Sequence, residues 1–309
     1  FVWVSVRMLH EQSKEKLEKY YSTTRAIECK FFEDLTDNKI EQDEILFLNR
    51  ESINKKDNLY IRENEQERNL SKVLENTRED GTDIILIIDE SHFTAKTETS
   101  RNLINDINPD VIVEVSATPH IHSFYNVVVE FEDVKAEGMI KKEIAVNPEL
   151  DKDKVSKSPD ELVIESALKK RDELIQFLKK EKSDVNPLIL IQLPDKKAGV
   201  VDRQEQIVGI LKDKFKITTD NGKLGIYLSE EKTNLENVEM LDNDVQVLIF
   251  KQAIALGWDC PRAYLLVMFR DMQSMDFTIQ TVGRIMRMPE FKHYESEDLN
   301  RGYIFTNLG

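Results

Sequence analysis

Along the chain, short runs in which nearly every position is apolar take turns with stretches in which apolar residues recur every three or four positions. The short runs fall at residues 1–6, 45–47, 84–88, 111–115, 188–191, 225–228, 245–250, 264–269 and 303–305. Phe31 and Phe32 suggest a further short strand. A run apolar on both faces is the pattern of a strand buried in a parallel sheet with helices on either side. Between the runs, helical spacing is set by Leu17, Tyr20 and Tyr21, by Leu70, Val73 and Leu74, and by Leu103, Ile104 and Ile107. It returns with Leu162, Ala167, Leu174 and Leu178, with Ile207, Ile210 and Leu211, and over 274–288. Ser158-Pro159-Asp160-Glu161 opens one of these helices with a capping Ser, Pro at the first helical position and a Glu that closes a capping box. Strand, helix and strand in alternation predict βαβ units with right-handed crossovers, hence an α/β fold.

The alternation breaks once. From Lys135 to Asp160 the composition turns polar and charged, as in an interdomain passage. Residues 1–135 are therefore expected to form one lobe, 136–157 the passage and 158–309 a second lobe. The polar stretch 49–67 reads as a solvated connection despite Lys55, Lys56 and Arg62. The chain opens abruptly on a strand, with neither Met nor a turn before it, so it is expected to be a piece of a longer protein.

Composition narrows the class. A length of 309 residues suits about two domains. No apolar run approaches the ~20 residues of a membrane span. Cys29 and Cys260 are too few for a disulfide framework or a zinc cluster, which fits a reducing cytoplasm. His120 and His122 have no further Cys or His nearby and read as loop residues. A net charge of −15 argues against a non-specific nucleic-acid coat, but leaves room for a narrow basic channel on an acidic body.

Polar clusters follow several of the apolar runs. The run 84–88 ends in Asp89-Glu90-Ser91-His92. In open α/β sheets ligands sit beyond the carboxyl ends of the strands, and an acid there is how nucleotide hydrolases hold Mg²⁺ beside a phosphate chain. An acid that merely caps the next helix produces the same pattern. The run 111–115 ends in Ser116-Ala117-Thr118-Pro119. In the second half, Gly257-Trp258-Asp259-Cys260-Pro261 is followed by Gln280-Thr281-Val282-Gly283-Arg284-Ile285-Met286-Arg287. Arg284 and Arg287, three apart, share one helical face. Paired guanidinium groups suit a polyphosphate, and Gly283 permits close approach of another backbone. A surface helix with two solvated arginines would look the same.

Taken together and in this order, the four clusters resemble the motifs of superfamily 2 helicases and translocases, which have two tandem RecA-like lobes. Gly257-Trp258-Asp259-Cys260-Pro261 and the opening Phe1-Val2-Trp3-Val4-Ser5 look most like the restriction subunit of type III restriction enzymes. The resemblance implies ATP and Mg²⁺ as cofactors, DNA as the track and a methyltransferase subunit as partner. It further implies that Asp89 holds Mg²⁺ through water and that Glu90, also at the metal, orients or activates the attacking water. His92 would couple the nucleotide site to the second lobe, and Ser116 and Thr118 would link hydrolysis to strand movement. Arg284 and Arg287 would be arginine fingers, with Gln280 facing the γ-phosphate. Asp259 would approach the ribose or bridge to the fingers, and Gly257 and Gly283 would border the nucleotide. Ser5, Lys251 and Gln252 would lie along the nucleic-acid track.

The family's P-loop, Gly-x-x-x-x-Gly-Lys-Ser/Thr, is missing from these residues. Gly222-Lys223 comes nearest, but Leu224 follows. In the family this loop precedes the first strand, so it is expected upstream of Phe1, and residues 1–309 alone are expected to be inactive. A nuclease motif is also missing, since Asn108-Pro109-Asp110 lacks its partners; the nuclease is expected beyond Gly309. A repair or RNA helicase, or a core that binds nucleic acid without turnover, would carry much the same motifs.

Overall fold

The computed structural model describes residues 1–5, 9–24, 26–50, 69–89, 91, 98–116, 125–148, 158–194, 203–251, 258–269 and 281–307. The chain divides into two units, Phe1–Asn126 and Val127–Gly309.

The first unit is built on five strands: β1 (Val2–Ser5), β2 (Glu28–Lys30), β3 (Glu44–Asn49), β4 (Ile85–Asp89) and β5 (Val111–Val115). They lie in the order β2-β3-β1-β4-β5, and every pairing is parallel. Val2 and Val4 of β1, Leu46 and Leu48 of β3, and Leu86 and Ile88 of β4 pack with Leu70, Val73, Leu74, Leu103 and Ile107 from two helices. One of these, Leu70–Glu79, starts where the Asn69 side chain accepts from the Lys72 amide at 2.7 Å. The other, Glu98–Ile107, leads through Asn108 and Pro109 to Asp110, whose carboxylate accepts from the Ile84 amide at 2.8 Å and fixes the entry to β4.

Two expectations differ from the structure here. Phe31 and Phe32 are not in a strand: β2 ends at Lys30, and Phe32–Asp34 is a short 3₁₀ turn that buries the Phe32 ring. β5 is a strand, but it is not buried. It stands at the sheet edge with a neighbour on one side only, and Val111, Ile112, Val113 and Val115 are each 42–50% exposed.

The second unit holds seven strands: β6 (Glu143–Val146), β7 (Leu188–Gln192), β8 (Leu224–Tyr227), β9 (Lys232–Thr233), β10 (Val247–Phe250), β11 (Ala263–Met268) and β12 (Arg301–Thr306). Their order is β6-β12-β11-β7-β10-β8-β9. The β8–β9 hairpin is antiparallel and the other pairings are parallel. β6 lies inside the stretch 136–157, and pairs with β12 at the sheet edge. Helix Pro159–Lys180 begins with the expected Ser cap and Pro, Ser158 Oγ accepting from the Glu161 amide at 3.2 Å. It buries Val163, Ile164, Ala167, Leu174 and Leu178 against one face of the sheet, beside Ile207 and Leu211 of helix Arg203–Phe215.

The opposite face carries a second apolar layer among the described residues. Leu190, Leu248, Leu266 and Ile304 pack there against Ile285, Val238, Trp258 and Val282. Arg262, fully buried, ties this layer together through its guanidinium. It donates to the carbonyls of Val238 (2.8 Å), Asn186 (2.8 Å) and Val245 (2.9 Å).

Candidate functional site

In the first unit, parallel pairing brings the carboxyl ends of β3, β1, β4 and β5 to one edge, and each of these ends in a polar residue or leads to one. In that order the edge presents Asn49, Ser5, Asp89 and, one residue past β5, Ser116. Ser5 pairs with Asn49, and Val4 pairs with Ile88, one residue before Asp89. Asp89 and Ser116 are half-buried. Ser5 is fully buried, and its hydroxyl has no hydrogen-bond partner among the described residues. Ser91 is buried as well. Glu90, His92 and Thr118 lie outside the described residues.

Among the described residues no group of three His, Cys, Asp or Glu side chains is arranged to hold a metal ion. Mg²⁺ does not need one. It is commonly bound by one or two carboxylates, with phosphate oxygens and water filling the other positions. The donor chemistry of Asp89 followed by Glu90 fits that requirement.

In the second unit the two arginines converge on one short segment. Arg284 Nη1 donates to the Trp258 carbonyl, and the Arg287 guanidinium forms an ion pair with the Asp259 carboxylate. The Arg287 side chain remains 45% exposed and Asp259 29%, so both are open to a ligand. Helical geometry over the expected 274–288 helix ends at Gly283 in the described part. The amides of Arg284, Ile285 and Met286 then bond to the carbonyls of Thr281, Val282 and Gly283, a run of i→i+3 turns that keeps Arg284 and Arg287 on the same side. A Cβ built on Gly283 would meet nothing within 4 Å, so packing among the described residues does not require glycine there. Lys251 follows β10 directly and is half-buried. Gln252, Gly257 and Gln280 lie outside the described residues.

One side chain that the sequence did not single out holds this arrangement from below. Lys141 is fully buried, and its Nζ donates to the carbonyls of Ile285 (2.7 Å), Arg287 (2.7 Å) and Ala263 (3.3 Å). The Arg287 backbone therefore lies beside Ala263, the first residue of β11. Burial pulls the Lys141 ammonium down to about 7. Its Nζ sits 4.0 Å from the centroid of the Tyr264 ring, whose face favours the charged form.

Two such mostly parallel, helix-flanked sheets give the chain an α/β fold of two RecA-like lobes. Residues 1–121 match the family model described as type III restriction enzyme, res subunit. No curated protein matches the sequence. Among solved structures, the helicase MrfA bound to DNA and AMPPNP is similar over 99% of this chain and 41% of its own, at 14% identity and a TM-score of 0.56. Dbp5 of S. cerevisiae, bound to Gle1, is similar over 99% of this chain and 69% of its own, at 13% identity and a TM-score of 0.51. The ATP-dependent type ISP restriction-modification enzyme LlaBIII bound to DNA gives 12% identity and a TM-score of 0.46, over 99% of this chain and 24% of its own. The core is thus helicase-like in fold and similar over its first 121 residues to Res subunits.

Proposed function

We propose that this chain is the motor core of a type III restriction subunit, which hydrolyses ATP to move along DNA. The observation that carries the reading is the joint anchoring of Arg284 and Arg287 on Trp258 and Asp259. Two guanidinium groups fixed by their own neighbours are oriented before a ligand arrives, and one of them stays partly exposed. Phosphoryl transfer asks mostly for such positioning and charge neutralisation, and an arginine finger contributes about 10³–10⁵ in rate. In this reading Arg284 and Arg287 offset the charge that develops on the γ-phosphoryl group, and Asp259 keeps Arg287 extended until phosphate oxygens compete for it. Gln280 assists at the γ-phosphate, and Gly257 and Gly283 leave room for the nucleotide.

Asp89 and Glu90 would hold Mg²⁺, which neutralises phosphate charge when bound. Glu90 also takes the proton of the attacking water, and His92, Ser116 and Thr118 pass the nucleotide state on to the nucleic-acid track. Lys251 and Gln252 supply phosphate contacts on that track. Ser5, wholly buried beside Asn49, supports the track from beneath. A methyltransferase subunit would supply sequence recognition, in the cytoplasm. The match of residues 1–121 to Res subunits favours DNA restriction over other helicase tasks.

No Gly-x-x-x-x-Gly-Lys-Ser/Thr sequence occurs in the 309 residues. Residues 1–309 by themselves are therefore proposed to lack turnover. The test is steady-state phosphate release by the natural full-length protein, with and without duplex DNA and with RNA as control. Stimulation by duplex DNA is expected. A rate indifferent to nucleic acid, or stimulated by RNA alone, overturns the reading.

A further inference from the structure

Lys141 has no part in the chemistry above, yet its surroundings are unusual. Three consecutive carbonyls, those of Ile285, Met286 and Arg287, all accept hydrogen bonds from this one residue. Ile285 and Arg287 bond to its Nζ, and Met286 bonds to its backbone amide at 2.6 Å. The last carbonyls of a helical stretch have no partners of their own, and a lysine near a helix C-terminus can satisfy them. The third ammonium donor goes to Ala263 at the start of β11. An ammonium has three donors and no acceptor, so these three carbonyls use it completely. The two residues before it join in: Ile140 bridges Arg287, and the Met288 amide donates to the Met139 carbonyl at 3.0 Å.

The ammonium makes no ion pair among the described residues. Replacing a buried charge by a well-packed apolar side chain is often neutral or stabilising, so stability is a poor reason for a lysine here. Conformational definition is a better one. Residues 285–287 include one of the two arginines and immediately follow the other. They leave helical geometry at a point where the carbonyls of Ile285 and Arg287 take the Lys141 ammonium as partner.

We propose that Lys141 is a positioning residue, which fixes the segment carrying Arg284 and Arg287 and acts on the reaction only through them. The proposal rests on the reading that those arginines meet the nucleotide. A role in packing makes a different prediction. Met fills apolar volume better than Gln and would be the milder replacement, whereas a donor clamp favours Gln, which keeps two N–H groups.

The experiment compares wild type, Lys141→Gln and Lys141→Met in the natural full-length protein. Hydrogen exchange is followed in peptides covering 281–290, with β7 and β10 as internal controls, and phosphate release is followed alongside. Exchange at the Met288 amide should be tenfold or more faster in Lys141→Met, with Lys141→Gln between it and wild type and the control strands unchanged. Turnover should fall in the same order, by tenfold or more for Lys141→Met, with the KM for ATP within about twofold of wild type. Unchanged exchange over 281–290, or better protection in Lys141→Met than in Lys141→Gln, overturns the proposal. Should Lys141→Met fail to fold, Lys141→Gln against wild type still decides the exchange result. Reductive methylation of folded wild type adds a further readout: Lys142 should be modified and Lys141 spared, and equal modification overturns the proposal. An Arg287→Ala arm keeps the two readings apart. If turnover survives Arg287→Ala, the assignment of the arginines fails, while exchange still decides whether Lys141 holds the segment.

Discussion

Arg287 reaches Asp259, 28 positions earlier in the chain, and pairs with it while nearly half of its side chain stays exposed. The pair is open enough that its contribution to stability is small, since exposed ion pairs are typically worth about 0–1 kcal/mol. Its proposed value is the orientation of Arg287. Arg287→Ala is expected to lower DNA-stimulated phosphate release by about 10³-fold or more, with the thermal midpoint and DNA affinity almost unchanged. Asp259→Asn keeps the shape but removes the charge that holds Arg287, and a smaller loss, roughly tenfold, is expected. Steady-state kinetics beside a thermal melt separates the two. A loss of stability that matches the loss of rate would make the pair a structural one.

Glu90 follows the last residue of β4 in sequence and is the proposed general base beside Asp89, the proposed Mg²⁺ holder. Glu90→Gln keeps size and hydrogen-bonding shape but cannot accept the proton of the attacking water. The variant should bind a fluorescent ATP analogue within about threefold of wild type and release no phosphate above background. Asp89→Asn should weaken the Mg²⁺ dependence of binding as well. Turnover by Glu90→Gln at the wild-type rate would place the base elsewhere.

The strands were the most legible part of the sequence, because burial on both faces writes itself as an unbroken apolar run. β1 and β10 lie within such runs, and β4, β7 and β11 each lie within one but for a single terminal residue. β5 has the same run, yet only tertiary context reveals that it stands at an edge. β6 was hidden because Glu143–Val146 is short and flanked by charges, so that it reads as part of a solvated passage. Candidate site residues were legible in proportion to how locally they are encoded. Arg284 and Arg287 stand out by spacing, but their convergence on Trp258 and Asp259 depends on a contact across 26 and 28 positions. Lys141 was illegible. Beside Lys142 it looks like surface charge, and its burial is decided by carbonyls 122 to 146 positions away. The same holds for Arg262, whose acceptors are scattered from Asn186 to Val245.

DNA affinity should depend on salt in spite of the acidic chain. Each phosphate neutralised by a basic side chain releases condensed counterions, so the logarithm of the binding constant falls with the logarithm of salt at about 0.9 per contact. Lys251 follows the carboxyl end of β10 and is only half-buried. Lys251→Ala should weaken binding to all duplex sequences alike and reduce the slope by about one. Fluorescence anisotropy at four salt concentrations is sufficient. A slope unchanged by the substitution removes Lys251 from the track.

Cys260 links the candidate site to the alkaline limit of the second unit. It lies next to Asp259, is 2% exposed, and its Sγ faces the Val238 carbonyl at 3.6 Å. Burial pushes its thiol up to about 12 from an ordinary 9, against the opposing influence of Arg262. Between those values the unfolded chain has lost the proton and the folded chain still holds it. The stabilising contribution is thus complete below about pH 9 and is lost as pH rises through about 12. Cys260→Ala, which has no thiol to ionise, should show a shallower fall of thermal midpoint between pH 9 and 11 than wild type. The thiolate, not the thiol, reacts with alkylating reagents. Burial raises the Cys29 thiol as well, but that residue is only half-buried, so it should be alkylated slowly at pH 8 in the native protein, and Cys260 only in denaturant. Mass spectrometry of the two cysteine peptides measures both. Native labelling of Cys260 at the rate of Cys29 would mean that the segment bearing Asp259 opens readily, and that Arg287 has no fixed partner from which to be presented.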